Sequence, residues 1–106
     1  MIDVNKENFE EEVLKAEGVV LVDFWGPKCE SCLSLMPDVE KLAEKYGDQV
    51  KFSKLNTAEN RRLAISQKVL GLPTFIIYKN GEKVKEISGA ENCTPEAIEN
   101  LITENI

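Results

Sequence analysis

The 106-residue sequence predicts an α/β protein, a three-layer α/β/α sandwich around a mixed sheet of about five strands with about four helices. Three observations carry this. Short β-branched runs alternate with segments of three-to-four apolar spacing, the order expected when strands run parallel and helices cross over both faces. Val19-Val20-Leu21-Val22-Asp23-Phe24-Trp25 is apolar apart from Asp23, the pattern of a central strand buried on both faces. Asn80-Gly81 stands between two strand-like segments, a hairpin signal that adds antiparallel pairing.

In order, Ile2–Val4 reads as a short strand. Asn5 is placed to cap a first helix whose buried face is Phe9, Val13 and Ala16, with Gly18 to end it. The strand over Val19–Trp25 comes next, and Gly26-Pro27 breaks it. Cys32, Leu35, Met36, Val39, Leu42, Ala43 and Tyr46 then recur at helical spacing up to Gly47. Pro37 lies inside that helix and should kink it, because it removes an amide donor and crowds the carbonyl one turn back. Residues 50–55 read as a strand and 60–68 as a short helix. Gly71-Leu72-Pro73-Thr74 is a loop before a strand at 75–78, and Asn80-Gly81 turns the chain into a strand at 84–88. Thr94-Pro95-Glu96 starts the last helix with a cap, a proline at the first position and an acid in the first turn. Ile98, Leu101 and Ile102 form its buried stripe. Residues 1–106 read as one domain, long enough to bury a core without staples.

Lys and Arg number 13 against 19 Asp and Glu, a net charge of −6. A field of this sign repels phosphate backbones and anionic lipid, so neither nucleic acid nor a membrane surface is an expected partner. The absence of histidine excludes imidazole general-base chemistry and zinc sites of the Cys/His type. No run of about 18 apolar residues occurs, and the acidic opening MIDVNKENFEEE lacks the basic-then-apolar order of a signal peptide. A cytoplasmic location is expected. Three cysteines are an odd count for a disulfide framework in a reducing compartment, so a pair here is expected to cycle and not to staple.

That pair is Cys29-Glu30-Ser31-Cys32, directly behind the long strand. Cys29 falls at the strand-to-helix junction, where unpaired amides and the helix dipole favour thiolate over thiol. Cys32 lies one turn deeper on the same face, within reach of a disulfide. The context is that of a redox dithiol in which Cys29 attacks and Cys32 resolves. Two other readings fit the spacing. One is half of a zinc site, where the second thiolate pair of a four-thiolate centre is missing and Cys93 as third thiolate with a carboxylate as fourth ligand would have to complete it; the other is two small buried side chains.

The sequence resembles thioredoxin nearly end to end. Val22-Asp23-Phe24-Trp25, the C-x-x-C at 29–32, Pro37 five residues on, Lys54-Leu55-Asn56, Leu72-Pro73-Thr74, Lys79-Asn80-Gly81 and Gly89 stand in that family's order and spacing. The resemblance implies the thioredoxin fold and a small dithiol protein that reduces disulfides in client proteins. It implies re-reduction by a thioredoxin reductase, and no cofactor within the chain; a monomer is expected. Asp23 would be the buried carboxylate that helps deprotonate Cys32, with Lys54 as its charge partner; burial among Val, Leu and Phe should raise its pKa. Pro73 would be cis and lie against the disulfide, where sequence alone gives a trans loop proline as the default. Leu72 would offer backbone groups to an extended client, an edge-addition mode of recognition. Trp25 would pack beside the dithiol, and Gly89 would belong to the client-facing rim.

The filling of the site departs from the family pattern, which usually has Trp before the first cysteine and Gly-Pro between the two. Here those places hold Lys28, Glu30 and Ser31. Replacing proline returns an amide donor near the helix start, which stabilises the Cys29 thiolate and hence the reduced form. A potential above the roughly −270 mV of thioredoxin is therefore expected. Glu30 opposes the thiolate and Lys28 favours it; both also stand where a reductase or client would touch. Cys93 reads either as an exposed thiol open to mixed disulfides or as a small loop residue. Two alternative functions use the same residues: an isomerase or dedicated electron carrier of raised potential, and a client-binding module whose dithiol is vestigial.

Overall fold

The computed structural model describes residues 1–106. Five strands, β1 (Ile2–Val4), β2 (Val19–Trp25), β3 (Val50–Asn56), β4 (Thr74–Lys79) and β5 (Glu82–Ser88), form one mixed sheet in the order β1-β3-β2-β4-β5. β1, β3 and β2 are parallel, and β4 and β5 continue the sheet antiparallel. The long run, apolar but for Asp23, is thus the middle strand, as its near-continuous hydrophobicity predicts.

Alternation along β2 sends its side chains into two separate cores. Val20, Val22 and Phe24 pack with Phe9, Val13, Leu55, Ile76 and Tyr78 under the N-terminal segment and helix α2 (Arg61–Ser66). Leu21 packs on the other side with Val39, Phe52, Phe75, Ile77, Ile98 and Leu101, under helices α1 (Glu30–Tyr46) and α3 (Pro95–Thr103). The result is the three-layer mixed α/β sandwich expected from the sequence, with four helical segments. α1 passes through Pro37 without a break in its helical residues, and Thr94 Oγ1 caps α3 by accepting from Ala97 N at 3.1 Å.

The first helix differs from its expectation. Asn5 does hold a turn, its Oδ1 accepting from the amides of Glu7 at 2.8 Å and Asn8 at 3.2 Å. Beyond that turn the chain forms a short π-helical segment, Glu10–Leu14, closed by Lys15 N donating to Glu10 O at 2.8 Å. Phe9 and Val13 are buried, as their spacing implies, but apolar spacing alone does not distinguish a normal from a widened turn. The hairpin tip presses on this segment. Asn80 and Gly81 both take positive φ, 51° and 84°, and a Cβ on Gly81 would collide with the Leu14 carbonyl. Asn80 also reaches Gly18, whose amide donates to Asn80 Oδ1 at 2.8 Å.

α2 is shorter than the 60–68 expected. Lys68 turns into the left-handed region at φ 63°, and the Lys68 and Val69 amides fold back on the Ile65 and Ala64 carbonyls. This sharp end carries the chain into the Leu72–Pro73 loop, beside the end of β2. No helix is long and apolar enough to cross a membrane.

Candidate active site

β2 delivers Trp25 to the carboxyl end of the sheet, and a tight turn, with Cys29 N donating to Gly26 O at 3.1 Å, starts α1. Cys29 is the N-cap of α1, extended at φ −91° and ψ 99°. Its sulfur occupies the acceptor position that Ser or Asp commonly fills, taking a hydrogen bond from Cys32 N at 3.2 Å, with Ser31 Oγ at 3.5 Å. Cys29 and Cys32 are joined as a disulfide with Cα atoms 5.2 Å apart. Cys29 is half-buried and Cys32 only 1% exposed, so an incoming sulfur meets Cys29 first. Negative charge on that sulfur faces a free amide and the positive end of a 17-residue helix, both of which stabilise thiolate.

Asp23 stands two residues before the end of β2, on the face shared by Leu21, α1 and α3. It is 1% exposed and neither carboxylate oxygen has a hydrogen-bond partner. Burial pushes its pKa up to about 7, and the Lys54 charge pulls the other way. Lys54 is its registered neighbour on β3. The expected charge partnership takes a looser form than direct pairing, however: the ammonium lies 3.8 Å from Asp3 Oδ1 and 6.0 Å from the Trp25 ring centre. A flexible, half-buried lysine gains more by keeping its head in water than by following a carboxylate into the core.

The Leu72–Pro73 peptide bond is cis, and Pro73 is buried. The Pro73 carbonyl accepts from Gly89 N at 2.9 Å and lies 3.8 Å from Cys93 Sγ. Thr74 Oγ1 donates to Gly71 O at 2.6 Å and sits 3.0 Å from Ser88 Oγ. These bonds fix the loop against the site: a Cβ on Gly26 would stand 3.1 Å from Leu72 Cδ1. Neither the amide nor the carbonyl of Leu72 has a partner within the chain. Trp25 is half-buried, its carbonyl held by Thr57 N at 2.8 Å and Thr57 Oγ1 at 3.0 Å. Lys28 and Glu30 are exposed on either side of Cys29, and Ser31 is half-buried.

Cys93 is buried at 1% exposure. Its thiol is pushed up to about 11, first by burial and then by the negative charge of Asp23, so it is an inert thiol and the small-residue reading holds. No three Cys, Asp or Glu side chains converge in a metal-binding group. Sequence reasoning misses a groove that starts at Lys28 and Cys29 and runs along Arg61, Ile65, Val69 and Leu72. Its one sequence signal is Ile65, an apolar residue off the buried phase of a short helix.

A sulfur held at a helix start, able to bond a partner's sulfur and then to exchange that partner for its own buried neighbour, is built for thiol–disulfide exchange. The molecule is a thiol–disulfide oxidoreductase. The family model described as "Thioredoxin" matches residues 1–104. The chain is 48% identical over 106 residues to "Thioredoxin" of Acetoanaerobium sticklandii, covering 100% of both chains. It is 49% identical to "Thioredoxin" of Peptoclostridium acidaminophilum, over 100% of this chain and 96% of that one. It is also 41% identical to "Thioredoxin 1" of Synechococcus elongatus, over 82% and 81% of the two chains. The chain belongs to the thioredoxin family, and its activity is that of a protein-disulfide reductase.

Proposed function

We propose that this protein is a single-domain, monomeric, cytoplasmic reductant of disulfides in client proteins, recharged by a thioredoxin reductase. The observation that carries the reading is the half-buried Cys29 sulfur capping α1 with the buried Cys32 bonded behind it. In the reduced form the Cys29 thiolate attacks one client sulfur. A Cys29–client disulfide forms, the client S–S bond breaks, and the other client sulfur leaves and takes up a proton. Cys32 then loses its proton and attacks Cys29 Sγ, closing the Cys29–Cys32 disulfide and releasing the second client thiol. Two electrons pass from protein to client, and two electrons and two protons from the reductase restore the dithiol.

Asp23 is the base for Cys32. Its carboxyl is buried without a partner and poised near pH 7, Cys32 is likewise buried, and a base matched to ambient pH is the efficient one. Lys54 tunes that carboxyl through space. The unpaired amide and carbonyl of Leu72 receive the client backbone, as a strand added to an edge. Trp25, Lys28, Glu30, Pro73 and Gly89 form the surface around that strand.

The reading of a raised potential, motivated by the missing proline, gains a second support from the Ser31 hydroxyl that stands in its place. This hydroxyl lies 3.5 Å from Cys29 Sγ, and a hydrogen bond of this kind, present for the thiolate and weaker for the disulfide, favours the reduced form. At about 1 kcal/mol for such a bond, Ser31→Ala should raise the Cys29 pKa by somewhat under one unit and make the couple about 20 mV more reducing. Equilibration of both proteins with glutathione buffers reads the potentials. Identical potentials in the two proteins would remove Ser31 from the account, and a wild-type value at or below roughly −270 mV would remove the raised potential.

A further inference from the structure

The groove beside Cys29, about 670 Å³ in volume, differs in character from the rest of the surface. Ile65, 62% exposed and one of the two most exposed large apolar side chains of the protein, lines it together with Val69 and Leu72, and Leu70, 90% exposed, follows Val69 in sequence. Apolar groups so exposed, gathered in one place, mark a surface that is covered in use. Its charged lining is of one sign. Lys28 and Arg61 line it, no carboxylate does, and neither cation belongs to any of the chain's ion pairs. Glu30 and Glu59 flank the groove in sequence without lining it.

In a chain of net charge −6, two unpaired cations beside the reactive sulfur form a local reversal of sign. At physiological ionic strength charges are screened beyond about 8 Å, so a client side chain in the groove feels Lys28 and Arg61 and little of the overall acidity. A polypeptide whose sulfur bonds Cys29, itself part of the groove lining, brings its flanking residues next to this groove.

Resting on the reductase reading, we infer that the groove selects polypeptide disulfides whose cysteine is flanked by apolar and acidic residues. The apolar side chain covers Ile65 and Leu72, and the carboxylate meets Arg61 and Lys28. The electrons come from the Cys29/Cys32 dithiol: each substrate disulfide takes two, and releases two thiols as Cys29–Cys32 closes.

The test uses two short peptides that differ only in a Leu-Glu or a Leu-Lys flank, each with its single cysteine capped by 2-mercaptoethanol as a mixed disulfide. Pre-reduced protein is mixed with each in single turnover. Rates are divided by those of the same peptides with dithiothreitol, which removes differences in intrinsic disulfide reactivity. The acidic peptide should react about fivefold faster than the basic one, from two partly exposed charge contacts. The ratio should fall towards one at high salt, be reduced in Arg61→Gln and invert in Arg61→Glu. Because each ratio is internal to one protein, a general loss of activity in a variant does not disturb it. A wild-type ratio near one, or a preference that survives Arg61→Glu, overturns the inference. Bis(2-hydroxyethyl) disulfide, small and neutral, separates the two levels: if wild type reduces it without discriminating between the peptides, only the selectivity fails, and if it is not reduced, the reductase reading falls too.

Discussion

Asp23→Asn should stabilise the protein by about 4 kcal/mol at pH 8, and the gain should vanish towards pH 4. The unfolded carboxyl titrates near 3.8 and the folded one near 7. Between those values the folded protein holds a proton that the unfolded chain has lost. The stability this group contributes is therefore fully present below pH 4 and is lost as pH rises through 7. Asparagine resembles the protonated acid in shape and carries no charge at any pH, so it escapes the loss. The cause is a carboxylate in the middle strand with neither oxygen partnered, since a charge without partners in an apolar core is the costly state. Denaturant unfolding at a series of pH values reads the difference, and parallel curves for the two proteins would contradict it. The same substitution removes the proposed base for Cys32. The resolving step should slow on the order of 10²-fold at neutral pH and lose its inflection near pH 7, which a purely structural role would leave in place. On that reading the site gives up stability for a proton acceptor poised at working pH.

Replacement of either cysteine of the pair has the largest effect on activity, and the two replacements fail differently. Cys29→Ser should lose disulfide reduction entirely, because a hydroxyl cannot form the mixed disulfide and the buried Cys32, at 1% exposure, is out of reach of a protein client. Cys32→Ser should still attack but not resolve. Mixed with a disulfide client, it should accumulate a covalent complex through Cys29 that dithiothreitol dissolves. A protein that only binds clients would give no covalent complex with either variant, and trapping through Cys32 in Cys29→Ser would reverse the assigned order of attack. The asymmetry arises from placement: the helix cap faces outward at the turn, and the residue one turn on faces the core.

Much of the fold and site is legible in the sequence because several independent signals coincide at the same residues. The run Val19–Trp25 announces a doubly covered strand, and Asp23 stands out in it as the one polar group. Asn80-Gly81 fixes the hairpin because two successive positive φ angles are cheap for that pair and few others. Thr94-Pro95 fixes the start of α3. The π-helical segment after Asn5 is not legible, since Phe9 and Val13 are buried in either kind of turn. The early end of α2 depends on Lys68, a residue with no intrinsic preference for positive φ. At the site, the cysteine pair is local and readable, whereas the position of the Lys54 ammonium is a balance between hydration and a distant carboxylate. The groove is assembled from the turn after β2, the loop after β3, and α2, so no single stretch announces it; only Ile65, apolar and off the buried phase of its helix, hints at it.

The most direct measurement is a single turnover followed by mass. Fully reduced protein is mixed with an equal amount of a protein carrying one accessible disulfide, quenched with an alkylating reagent under native conditions, and weighed intact and after digestion. Exchange through the Cys29/Cys32 pair predicts one client disulfide converted to two labelled thiols, one new Cys29–Cys32 bond per client reduced, and Cys93 unlabelled in its buried site. An intact client disulfide beside an unchanged dithiol, or a product bonded through Cys93, would contradict it.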